Sequence, residues 1–180
     1  MRSWITDTFF ASLAYVGASF LTFSVLMPLQ NVFFPEYPSR ASLLFLPHGV
    51  RVLAAWLLGW RAVPALLPGV FIVFALLGGA DVFLANRLLA IAIAVTTAPA
   101  VFYLLKWAGW DLFPAPGRSP CWACIMGVGG ITSVLVSILT NMAFGSSTSE
   151  YVAFLIGDMS GLLFLMFGLY FAFRVIDRRA

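Results

Sequence analysis

Charge is what this sequence has least of. Asp, Glu, Lys and Arg make up 9% of its 180 residues, where a soluble domain carries about a quarter, so there is too little polar surface for a chain surrounded by water. Histidine occurs once and cysteine twice. With so few ligands, a zinc centre would need side chains from another chain, and no metal site is expected. No glycine-rich phosphate loop precedes a helix, and neither a Ser-His-Asp set nor a carboxylate pair is arranged for hydrolysis. The chain therefore reads as a non-enzyme without catalytic residues or cofactor. Its net charge of +3 does not point to nucleic acid, because the cations cluster at the ends of apolar runs, where membrane topology accounts for them.

In place of charge there is hydrophobic sequence: 62% of the residues are apolar and mean hydropathy is +1.01. A helix needs roughly 20 residues to cross a hydrocarbon core, and about six such helices would consume most of the chain. The expected fold is thus an all-α polytopic transmembrane bundle forming one domain over residues 1–180, in contact with membrane lipids and placed in the inner (cytoplasmic) membrane. Breaks at Pro, Gly and charged residues set the expected helices at 8–29, 42–60, 63–78, 87–107, 121–144 and 151–173. The first apolar run has no clean small-residue cleavage site and reads as a retained span.

Basic residues near span ends stay cytoplasmic. Six crossings with both termini inside would place Arg2, Arg61, Lys106, Arg118, Arg174, Arg178 and Arg179 on the inner side and only Arg40 and Arg87 outside. An N-in, C-in orientation follows. Trp60, Trp107 and Trp110 then fall at inner ends, as an interfacial belt predicts.

Two ionisable residues, His48 and Arg51, lie within an otherwise apolar run. A charge there costs at least about 2.5 to 3.5 kcal/mol at the bilayer centre, so it should face protein or a wet cavity. With the helix beginning near Ser42, Arg51 lies roughly 14 Å below its outer end, and His48 shares its face three residues earlier. Asp158, roughly 10 Å into the last helix, is the candidate counter-charge for a direct pair with Arg51. Gly129, Ser133, Ser137 and Asn141 recur every four residues and form one stripe. Gly129 and Ser133 read as close packing, and Ser137 and Asn141 as polar lining. Gly157 with Gly161 and Ala14 with Ala18 are further small-residue packing pairs. The expected site is a polar pocket open to the outer face, lined by His48, Arg51, Ser137, Asn141 and Asp158. Its guanidinium suits a small anionic or zwitterionic ligand, and His48 offers pH dependence. Cys121-Trp-Ala-Cys124 falls at the cytoplasmic edge, where disulfides are disfavoured, and reads as neither a redox couple nor half of a metal site.

The segment from Leu46-Pro-His-Gly-Val-Arg51 through Leu58-Gly-Trp-Arg61 to Pro68-Gly69 resembles the Pro-x-Gly, Leu-Gly-x-Arg, Pro and Gly pattern of MASE-type membrane-associated sensor domains of bacterial signalling proteins. Gly157-Asp-Met-Ser-Gly161 is similar to the Gly-Asp-x-x-Gly element near the end of those domains. That family usually has more spans and a fused output domain. The resemblance implies a sensory or ligand-binding bundle acting through another membrane or signalling protein. By architecture the chain is also similar to the S components of energy-coupling factor transporters, and an accessory or assembly subunit of a larger membrane complex is the remaining alternative.

Overall fold

Apolar runs in a medium without water have to satisfy their backbone internally. The computed structural model, which describes residues 3–33, 42–144 and 150–177, is helical, with no strand among the described residues. Five stretches are long and apolar enough to cross a membrane: Trp4–Phe33, Leu46–Phe83, Ala85–Trp107, Trp122–Met142 and Phe154–Phe171. Six were expected in this chain. Its second stretch, 38 residues long, covers two of the expected spans. Within it α3 (Leu46–Leu58) and α4 (Ala62–Gly78) have 13 and 17 residues, each short of the roughly 20 for a full crossing.

The start of α3 at Leu46 rather than Ser42 follows from Pro47. Proline has no N–H to give a preceding turn, so it is tolerated in the first turn of a helix and not beyond it. Between α3 and α4 the chain turns at Gly59, whose φ of 58° and ψ of −135° belong to a region that only glycine enters at low cost. The turn reverses direction. Leu46 at the start of α3 bonds Thr22 of the first stretch, whereas the end of α3 shares a cavity with Thr6, Asp7 and Phe10. Arg61 then bonds Asp7 and Ser12 bonds Ala65, so α4 runs back alongside α1 (Trp4–Leu21).

That first stretch begins at Trp4, not Thr8, because the Ser3 hydroxyl accepts from the Ile5 amide and caps the helix. It passes through a π-helical turn, Thr22–Leu26, into α2 (Met27–Phe33). Its tight contact is not at Ala14, which is exposed, or at half-buried Ala18. Instead Ser12 donates to the Ala65 carbonyl at 2.8 Å and accepts from the Gly69 amide at 3.0 Å, the two groups that a regular helix would pair with each other. A side chain thus enters the α4 ladder one residue after Pro68. A Cβ at Gly69 would lie 2.8 Å from the Ser12 backbone.

The remaining helices are α5 (Ala85–Trp107), α6 (Trp122–Phe144) and α7 (Glu150–Asp177). Leu66, Phe102, Ile125 and Leu162 fill the interior, while Phe9, Phe20, Ile131, Phe164 and Phe171 lie on the outside. Large exposed apolar side chains on this scale suit a lipid-facing surface.

The six tryptophans gather at one end. Trp4 lies under the Arg61 guanidinium, Trp56 packs near Trp122, and Trp60 packs near Tyr103. Trp107 and Trp110 are exposed where α5 ends. Arg61, Lys106 and Arg118 lie at the same end, and the Lys106 ammonium, 3.0 Å from Asp111, holds that carboxyl below the usual carboxylate range, helped by the Phe113 amide. Arg87, packed over Gly78, is at the opposite end.

Candidate functional site

Four residues preceding α3 are not helical although they lie against the bundle interior. Irregular backbone at such depth persists where its polar groups are satisfied, and here the amides from Leu43 to Leu46 each have a partner. Leu43 donates to the Gln30 side chain, Leu44 to the Ser42 hydroxyl, Phe45 to the Gly157 carbonyl at 2.8 Å, and Leu46 to the Thr22 hydroxyl. Ser160 secures the same segment from the other side by donating to the Leu43 carbonyl. A Cβ at Gly157 would collide with the Ser42 carbonyl, and one at Gly161 with the Phe45 carbonyl. The two glycines do serve close packing, but what they admit is this extended segment, not another helix.

The segment delivers α3 with His48 and Arg51 pointing into the bundle, where they are 0% and 7% exposed. The His48 Nε2 donates to the Gly129 carbonyl of α6 at 3.1 Å, since a carbonyl can only accept. Its Nδ1 is 3.4 Å from the Arg51 guanidinium and 3.3 Å from the Asp158 carboxylate of α7. Ser133 of α6 donates to that carboxylate at 2.5 Å. Three helices therefore meet through one polar cluster, and Tyr15 of α1, also buried, lies within range of the charges of Arg51 and Asp158.

Three expectations need correction. Arg51 and Asp158 are not a direct pair: no N···O approach of 4.0 Å or less joins them among the described residues, and the His48 ring stands between. Ser133 does more than pack, because its hydroxyl binds Asp158. Finally, Ser137 and Asn141 do not join the cluster. Both are half-buried without a hydrogen bond among the described residues, and the Asn141 Oδ1 is buried without a partner. A step of four residues overshoots the 3.6-residue turn by about 40°, so the later members of the stripe rotate off the face that Gly129 and Ser133 share. Gly129 keeps its packing role, since a Cβ there would strike the Leu162 side chain.

Cys121 and Cys124 are bonded as a disulfide, against the expectation that a disulfide is disfavoured there. The residues missed from sequence are Thr22, Tyr15 and Thr132. Each is a single polar or amphipathic side chain in an apolar run, and no spacing distinguishes it from an exposed one.

The cluster has bonding capacity left over. The Arg51 Nε is buried without a partner among the described residues, and buried groups of this kind normally find one. An apolar cavity of about 330 Å³ between α1, α3 and α7 is lined by Val50, Leu53 and Ala54 on one side and Leu165 and Leu169 on another, and no residue of the cluster lines it. No protein-family model, curated protein or solved structure matches this chain.

Proposed function

We propose that this chain is a multi-pass membrane protein of sensory or small-molecule-binding type, with its site at the Arg51, His48, Ser133 and Asp158 cluster. The observation that carries the reading is the Arg51 guanidinium, buried with an unpartnered Nε beside a histidine that already contacts the only carboxylate in the cluster. An intramembrane arginine is costly and is retained where it binds or switches something. Its planar fork suits a small anionic or zwitterionic ligand, which would enter from the end opposite the tryptophans, where α3 begins. In this reading α3 and α4 form two short crossings, giving six in all with both termini in the cytoplasm of a cell with an inner membrane. The output is passed to another membrane or signalling protein.

The test is native mass spectrometry of the gently solubilised protein, followed by thermal unfolding with a panel of small carboxylates and amino acids. A ligand that raises the melting temperature of the wild type and not of Arg51→Gln supports the reading. A wild type indifferent to the whole panel, purifying with a stoichiometric protein partner, would replace it with the accessory-subunit reading. One observation favours that second reading: Gly17, Gly127 and Gly168 face open space with no atom within 4 Å of a built Cβ, and small outward residues let a partner helix approach.

A further inference from the structure

The Cys121–Cys124 disulfide ties the start of α6 to itself. It joins residues three apart, both within or next to the first turn of a helix already held by the Ile125 amide on the Cys121 carbonyl. A cross-link contributes to stability mainly by closing a long loop in the unfolded chain, and this one closes about the shortest loop possible. It braces no second helix.

Its surroundings suit chemistry better. Cys121 is exposed and Cys124 is half-buried, so an incoming group reaches the first residue more readily. The Cys124 amide donates to the Cys121 Sγ at 3.3 Å, and a hydrogen bond from a helix-start amide stabilises a thiolate there. Arg118 and Cys121 also line one hollow of about 80 Å³ with Trp56, Phe113 and Pro120, so a positive side chain borders the recess onto which Cys121 opens.

We propose that Cys121 and Cys124 form a redox-active pair that exchanges with the thiols of a peptide or protein dithiol. A partner thiolate attacks the Cys121 Sγ, the bond to Cys124 breaks, and Cys124 leaves as a thiolate. The partner's second thiolate then attacks its own sulfur in the mixed disulfide and releases Cys121 as a thiolate. Two electrons pass to this chain, the partner becomes a disulfide, and the two protons of its thiols are free to protonate the new thiolates. The reverse sequence reduces a partner disulfide. Neither direction depends on the sensory reading or on which side of the membrane the pair faces.

The experiment uses the full chain in lipid nanodiscs, titrated with reduced and oxidised glutathione, with thiols counted by maleimide mass shift. The pair should pass from oxidised to reduced within the glutathione series while the protein stays folded. Iodoacetamide should alkylate Cys121 in Cys124→Ser about tenfold or more faster than Cys124 in Cys121→Ser, with a rate midpoint below that of an ordinary thiol. A reduced dicysteine peptide should be oxidised by the wild type faster than equimolar glutathione is. A pair that stays oxidised across the series overturns the proposal, as do equal alkylation rates. Preference for glutathione over the peptide would reassign the partner to a small thiol and overturn that part of it.

Discussion

His48 touches three partners at once. Its Nε2 is committed to the Gly129 carbonyl and must carry a proton, which leaves the Nδ1 as the variable atom. That atom lies 3.4 Å from the Arg51 guanidinium, from which a neutral ring accepts, and 3.3 Å from the Asp158 carboxylate. The ring thus links the arginine of α3 to the carboxylate of α7. Contact geometry predicts that coupling runs through the ring. A double-mutant cycle of His48→Gln and Asp158→Asn, read by unfolding in detergent, should give an interaction of about 0.5 to 3 kcal/mol. The Arg51→Gln and Asp158→Asn cycle should give less. A larger value for the arginine pair would mean that the two charges touch directly.

At the scale of elements, two interruptions of regular helix position the site. One is the extended segment before α3, seated against Gly157 and Gly161. The other is the reversal at Gly59, which lets a 13-residue helix end beside Tyr103 and begin again as α4. Because the groups nearest Gly157 and Gly161 are backbone carbonyls, which cannot rotate away, Gly161→Ala should destabilise by about 1 to 3 kcal/mol or more. Gly168→Ala on the same helix, facing open space, should change stability by no more than about 0.5 kcal/mol. Thermal unfolding of the two variants in one detergent checks this, and equal effects would mean that the segment does not sit on Gly161.

Across the described residues, Arg61, Lys106 and Arg118 share one end with the tryptophans, while Arg87 and the polar cluster lie toward the other. Cytoplasmic retention of basic residues predicts the sidedness of that arrangement. In a variant with Cys121 and Cys124 both replaced by Ser, an impermeant thiol reagent outside intact cells should label Ala80→Cys and not Ala115→Cys, both exposed positions at opposite ends of the bundle. The reverse pattern would turn the orientation over, put the cluster near the inner face, and leave the α3 and α4 reversal unchanged.

Composition by itself determined the solvent and the class of fold, because a chain with 9% charged residues can bury its polar backbone only by forming apolar helices. The cost of ionisable groups in lipid likewise marked His48, Arg51 and Asp158 from sequence, since an expensive residue announces itself wherever its neighbours are apolar. Periodicity did not reveal which of them touch. The places of Ser133 and Asn141 depend on how α6 crosses α3 and α7, and a four-residue stripe is the same stripe at any crossing angle. Nor did hydropathy show the extended segment at 42–45 or the Ser12 hydroxyl inside the α4 ladder. Both exist only because groups distant in sequence, Gly157, Ser160, Thr22 and Gly69 among them, supply the hydrogen bonds and the space that local sequence lacks, and such partners are brought together by tertiary packing alone.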